Sequence, residues 1–248
     1  MNESLSGRAA LVTGGARRVG AAIARRLHAA GANVLLHYRD SEKDAAKLEG
    51  ELNATRPKSA ARVKAELLAP IAPRALVSAA LQSFGRLDLL VNNASSFFPV
   101  EMGAIELSHW EELVGSNLRA PLFICQEAAA ELSKNEGSIV NIVDIHAERP
   151  LRGYPVYSIA KAGLAALTRS LAIELAPRVR VNGVAPGAIA WPEDEQFDAA
   201  ERSRILATTP LARLGSPQDI AQAVHFLACA PYVTGQIIAV DGGRSIYI

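Results

Sequence analysis

Tyr157 and Lys161 stand four residues apart in a stretch of helical patterning, which places both on one helix face. A free tyrosine titrates near ~10 and keeps its proton at neutral pH. A neighbouring ammonium favours the phenolate and brings that proton toward the working range of a general acid. Far upstream, Thr13-Gly14-Gly15-Ala16-Arg17-Arg18-Val19-Gly20 lies between a short apolar run and a helical one. Glycines let the backbone approach a pyrophosphate, and a helix N-terminus offers free N–H groups and partial positive charge. Alone, each signal is ordinary. Many exposed helix faces carry a Tyr-Lys pair, and many strands meet helices through glycine.

The elements that must position these residues alternate along the chain. Apolar strand-like runs are expected at Ala9–Val12, Asn33–His37, Ala61–Ala65, Leu87–Val91, Ser138–Val143, Val179–Ala185 and Gln236–Val240. Helical runs fall between them. Arg17–Ala30 stops at Gly31, a second helix starts about Ser41 and Asp44 and runs to Thr55, and Ala75–Phe84 is closed by Gly85. Ser108-His109-Trp110-Glu111 has the form of a capping box opening a long helix that ends at Gly137. Val156–Ala176 is helical, and Ser216-Pro217-Gln218-Asp219 caps a last helix with proline at its first position. Continuous apolar strands alternating with helices predict an α/β fold, a mainly parallel seven-stranded sheet covered on both faces. No composition break divides residues 1–248, so one doubly wound domain is expected. The polar, irregular stretch Ala188–Ser203 reads as part of a substrate-side flap over about residues 188–210.

Lys and Arg number 26 against 25 Asp and Glu, a formal charge of +1. Such a balance argues against nucleic acid or a membrane surface as partner. Cys125 and Cys229 sit in apolar stretches and read as free buried thiols. MNESLSGR lacks the basic and apolar regions of a leader, and no apolar run approaches the ~20 residues of a membrane span. A soluble, reducing, cytoplasmic setting is the expectation. His109 and His146 lack ligand partners at useful spacing, so no metal is expected.

Further motifs join the first two. Asn92-Asn93-Ala94 follows the fourth strand and Pro186-Gly187 the sixth, and Asp241-Gly242-Gly243 lies near the end. With Thr13–Gly20 and Tyr157-x-x-x-Lys161 they make the chain resemble the short-chain dehydrogenase/reductase family over essentially its whole length. That resemblance implies a Rossmann fold, a nicotinamide cofactor and an oligomer, with a homotetramer expected. Arg18 replaces the family's usual glycine, a form similar to the pteridine reductases. The block Asn92–Pro99 and Leu36-His37-Tyr38-Arg39 resemble the same subfamily. A carboxylate at the end of the second strand would bind an adenosine ribose and repel a 2′-phosphate. Here that position is Tyr38, followed by Arg39, which with Arg17 can neutralise a phosphate, so NADP(H) is expected. Asp40, twenty residues past Gly20, is placed beyond the strand in the next helix cap. Glu66-Leu67 stands where the family has Asp-Leu near the adenine. By the same resemblance Gly14, Val19, Ser41, Asn93, Ala94, Ser95, Pro186, Gly187 and Ile189 complete the cofactor contacts.

The resemblance also assigns the chemistry. Lys161 would hold the cofactor ribose beside its work on Tyr157. Asn117 matches a helix-kinking asparagine that positions a water near the lysine. Asp144, thirteen residues before Tyr157, occupies the family's serine position, as in the pteridine reductases. A serine would hydrogen-bond a carbonyl oxygen, whereas a carboxylic acid kept protonated by burial can deliver a proton. Phe97 would stack a pterin against the nicotinamide, although Phe98 could be the stacker and Phe97 the packer. Ser95 would contact cofactor or substrate, and Arg18 both phosphate and pterin. Trp191 either covers the site or packs. The implied function is NADPH-dependent reduction of a dihydropterin to its tetrahydro form, with oxidised pterin or folate as further substrates. A carbonyl reductase acting on a 3-oxoacyl thioester is the alternative. A non-enzymatic NADP(H) sensor is the third reading, against which the intact Tyr157–Lys161 pair speaks.

Overall fold

A computed structural model describes residues 4–191 and 198–247. Seven strands form one sheet: β1 Ala9–Val12, β2 Asn33–Tyr38, β3 Ala60–Lys64, β4 Leu89–Asn92, β5 Ser138–Ile142, β6 Arg180–Pro186 and β7 Ile237–Val240. Their order is β3-β2-β1-β4-β5-β6-β7, and every neighbouring pair is parallel. Successive side chains of a strand face opposite ways, and both faces are apolar here. Val12, Leu36 and Val91 pack on one side with Ile23, Leu27, Val224 and Leu227. Leu11, Leu35 and Leu90 pack on the other with Leu76, Ile124 and Leu132. Burying each such side chain contributes roughly 1.5–3 kcal/mol.

The helices are α1 Arg18–Ala29, α2 Glu42–Thr55, α3 Ala72–Phe84, α4 Leu107–Val114, α5 Ala120–Lys134, α6 Pro155–Glu174, α7 Ala199–Ala207, α8 Pro217–Cys229 and α9 Arg244–Tyr247, and α1, α2 and α8 supply the first layer, α3 and α5 the second. The result is the doubly wound α/β, Rossmann-type fold expected. Strand order reverses between β1 and β4, the place where open parallel sheets bind ligands at the carboxyl ends of their strands.

Three local expectations are corrected. The capping box of α4 is not Ser108–Glu111. Glu106 is the N-cap, and its backbone N–H donates to His109 Nδ1 at 3.1 Å. A histidine thus takes the reciprocal role usually held by Glu or Gln. The long helix expected as far as Gly137 is interrupted by a π-helical turn, Gly115–Arg119, between α4 and α5. The flap is not irregular throughout. Asp198 accepts from the Glu201 N–H at 2.7 Å and opens α7, so 199–203 are helical. The stretch 192–197 lies outside the described residues. Smaller differences concern ends: α3 starts at Ala72, with proline in its first turn, and β4 runs to Asn92.

Candidate active site at the carboxyl ends of the strands

The phosphate-binding turn is built by contacts between β1 and β4. Asn93 Nδ2 donates to Thr13 O at 2.9 Å and Gly14 O at 3.1 Å. Thr13 Oγ1 accepts from the N–H groups of Asn93 and Ala94 at 2.9 and 3.0 Å. Gly14 has φ +60, and a Cβ on Gly20 would overlap the Gly14 carbonyl. Glycine is required at both positions. The first turn of α1 leaves backbone N–H groups without intrahelical partners, and Val19 and Gly20 line the cavity there. That cradle fits a phosphate of a dinucleotide.

One open cavity of about 870 Å³ is lined by every cofactor- and substrate-contact residue expected from sequence, with Asp144, Tyr157 and Lys161 among them. Asn117 alone is set behind it, fully buried in the π-helical turn. Its Nδ2 donates to the Ser96 and Leu113 carbonyls, both at 2.9 Å, and its Oδ1 accepts from Ser95 Oγ at 2.7 Å. Asn117 thus lies in the π-helical turn that interrupts the helix where a kink was expected. Its amide is spent on fixing the Ser95–Ser96 loop.

At the centre, Tyr157 OH donates to Asp144 Oδ2 at 2.7 Å. Asp144 ends the path from β5, and its Oδ1 accepts from the His146 N–H at 2.8 Å as the cap of a single 3₁₀ turn, Ile145–Ala147. Lys161 Nζ donates to Ile142 O at 2.9 Å and lies 5.7 Å from the Tyr157 ring centre. The expectation that Lys161 lowers the tyrosine is reversed. Burial first, then the Asp144 charge and hydrogen bond, push the Tyr157 phenol well above its ordinary value, while Ser95 opposes them. Burial brings the Lys161 ammonium down to about 8, with Asp144 opposing. Tyr157 therefore keeps its proton, and Lys161 loses its own in mildly alkaline solution.

Phe97 lines the cavity and stacks on Tyr154, with ring centres 4.6 Å apart and planes 11° apart. It meets Tyr157 edge-on at 4.8 Å. Phe98 packs against His109 at 6.1 Å. Tyr154 thus fixes the plane of Phe97, a partner that sequence reasoning missed.

The adenosine end differs from expectation. Arg39 Nε donates to Asp40 Oδ2 at 2.8 Å, and its Nη1 lies 4.0 Å from Glu66 and 3.6 Å from Glu112. Arg17 lies 3.7 Å from Asp44. Ser41, not Asp40, is the N-cap of α2, so Asp40 is Arg39's partner rather than a helix cap. Glu112 entered the cluster unannounced because it comes from α4, distant in sequence from Arg39. Arg18, at φ +48, donates across the cavity mouth to the Ala190 and Trp191 carbonyls at 3.3 and 3.4 Å. Its guanidinium ties the flap, and Arg202 lies over the Trp191 ring at 5.3 Å. Arg244 was also missed. It lines the cavity and holds α7 through Ile205 O at 2.9 Å and Thr208 Oγ1 at 2.7 Å.

A family model described as enoyl-(acyl carrier protein) reductase matches residues 14–245. Pteridine reductase 1 of Leishmania tarentolae is 40% identical, with 99% of each chain covered. The 3-oxoacyl-[acyl-carrier-protein] reductase of Synechocystis is 36% identical over 98% of this chain and 99% of its own. The 3beta-hydroxysteroid dehydrogenase 1 of Eggerthella lenta is 35% identical over 100% of this chain and 97% of its own. Whole-length matches to oxidoreductases agree with a phosphate cradle opening onto a Tyr-Lys pair: the chain belongs to the short-chain dehydrogenase/reductase family.

Proposed function

We propose that this chain is an NADPH-dependent pteridine reductase. The observation that carries the reading is the Tyr157–Asp144 hydrogen bond of 2.7 Å, an acid where a carbonyl reductase would use serine. Bound NADPH would supply hydride from nicotinamide C4. One hydride and one proton saturate one C=N bond, so dihydropterin, NADPH and H⁺ give tetrahydropterin and NADP⁺. The chain's task is to place the ring and deliver that proton. Phe97, its plane set by Tyr154, offers an aromatic surface for a flat heterocycle. Tyr157 faces the developing negative charge on a ring nitrogen and donates to it. Losing that proton would leave phenolate and carboxylate in contact, which burial strongly opposes. Asp144, which also lines the cavity, then relays a replacement proton from solvent, and the Lys161 ammonium offsets the charge left behind.

Lys161 makes this reading pH-dependent. Below about 8 the ammonium is present; above it the charge is lost. Turnover should decline as pH rises through that value. Lys161→Arg, whose guanidinium does not deprotonate in proteins, should shift or remove the limb in whatever activity it retains. A wild-type profile flat to pH 9.5 would contradict this assignment.

The NADPH preference rests on Arg39. Binding a 2′-phosphate exchanges Asp40 for the phosphate on the guanidinium, against the repulsion of Glu66 and Glu112. Arg39→Asp is expected to raise the NADPH Kd roughly ten- to a hundredfold by removing a charge-assisted bond, with little change for NADH. Asp40→Asn should lower it. Fluorescence titration of both nucleotides measures this, and a wild type that binds NADH as tightly as NADPH would contradict it.

We also propose a homotetramer. Leu122, Phe123, Ile159 and Ile173 are exposed on α5 and α6, and Phe226, Tyr232, Ile246 and Tyr247 on α8, the turn that follows it and α9. Two separate apolar sets suit two different symmetric interfaces. No described helix is long and apolar enough to cross a membrane. Neither Cys125 nor Cys229 is in a disulfide, in keeping with the reducing, cytoplasmic setting we propose. NADPH consumption with a dihydropterin, measured beside a 3-oxoacyl thioester, tests the function. Turnover of the thioester alone would replace the reading with the carbonyl-reductase one.

A further inference from the structure

His37 is the buried penultimate residue of β2, at a position where both neighbours in the strand are apolar or aromatic. The Gly14 N–H donates to its Nδ1 at 3.0 Å. A nitrogen that accepts a hydrogen bond carries no proton, so the neutral ring holds its proton on Nε2. That atom lies 3.1 Å from the Ala65 carbonyl, to which it donates. The His37 carbonyl also accepts the Gly15 N–H at 2.9 Å. One residue therefore joins the phosphate-binding turn to the chain just before Glu66 and Leu67, which line the adenine end of the cavity. Burial holds the imidazole below its ordinary value, against the opposing influence of the Ala65 hydrogen bond and of Glu66, in keeping with a neutral ring.

We infer that His37 is a positioning residue for the adenosine-phosphate half of the cofactor, its neutral imidazole setting the phosphate-binding turn and the adenine-side loop at a fixed separation. The inference rests on reading this cavity as a dinucleotide site. Gly14 sits at φ +60, a conformation a glycine can leave readily, and the Nδ1 contact pins its N–H there. His37 touches neither Tyr157, Asp144 nor Lys161 in any hydrogen bond described, so its loss should act on cofactor binding and leave the chemical step alone.

Two substitutions separate the contacts. In His37→Asn, Oδ1 stands near the place of Nδ1 and keeps an acceptor for Gly14, while the reach to Ala65 is lost. In His37→Gln, the amide nitrogen reaches Ala65 but no acceptor faces Gly14. Direct titration with NADPH and with adenosine 2′,5′-bisphosphate, followed by steady-state kinetics, reads both. The Gln variant is expected to raise the Kd of both ligands about fivefold or more, with kcat at saturating NADPH within about twofold of wild type. The Asn variant should stay closer to wild type for both, although asparagine is the poorer match in size. Equal losses in the two variants, an unchanged Gln variant, or a fall in kcat with Kd unchanged would each overturn the role of His37. A wild type that binds neither NADPH nor NADH overturns the cofactor reading itself, which keeps the two failures distinct.

Discussion

Tyr157→Phe should cut turnover of a dihydropterin by about 10²–10⁴, the usual range for loss of a general acid, while NADPH binds as before. The substitution keeps the ring, its edge contact with Phe97 at 4.8 Å and its place on α6. It removes only the hydroxyl, and with it the O–H donated to Asp144. Steady-state rates and a fluorescence titration of NADPH check the two halves. Near-normal turnover of every pterin would remove Tyr157 from the mechanism. A parallel loss of NADPH binding would instead make the hydroxyl a binding group.

Asp144→Ser should cost about 10²-fold or more in dihydropterin reduction, with little effect on folding or on NADPH affinity. Serine is as good a cap as aspartate for the Ile145–Ala147 turn, so the bond from the His146 N–H survives in kind. The carboxylate does not. Serine can hydrogen-bond a substrate but has no acidity with which to relay a proton. Removing the charge also removes one cause of the raised Tyr157 phenol, so the phenol should titrate lower and the alkaline behaviour of the residual rate should change. A 3-oxoacyl thioester should gain measurable turnover from the restored hydroxyl. A variant reducing dihydropterins at the wild-type rate, with an unaltered pH profile, would leave Asp144 a structural cap. The pteridine reading would then rest on Arg18 and Phe97.

What could be read from the sequence was what depends on short-range spacing. The glycine turn, the four-residue step from Tyr157 to Lys161 and the alternation of apolar runs are local patterns, and each stands where expected. What escaped depends on which distant side chain arrives first. Lys161 was visible one helical turn from Tyr157, yet burial of the phenol, joined by the Asp144 carboxylate in direct contact with it, reverses the shift. Arg39 was read as a phosphate partner, and the further carboxylates around it, Glu66 and Glu112, come from other elements. Asp40 was noticed, but its neighbour's guanidinium captured it before the helix cap could. The helix α7 was hidden because AAERSRILA buries only Ile205, too little for apolar periodicity to appear. Its signal was the Asp198 cap with Glu201 three residues on. His37 had a signal too, a lone polar ring inside an apolar strand beside a glycine turn, but its partners could be identified only in three dimensions.

The central claim is that hydride reaches a pterin ring. Its most direct test is a single turnover with NADPH deuterated at the transferred C4 position, a dihydropterin and a 3-oxoacyl thioester together in one tube, followed by mass spectrometry of both products. One deuterium on a ring carbon of the tetrahydropterin for each NADPH oxidised, with the thioester unreduced, is the predicted result. Deuterium on the carbinol carbon of a hydroxyacyl thioester, with the pterin unchanged, would contradict it.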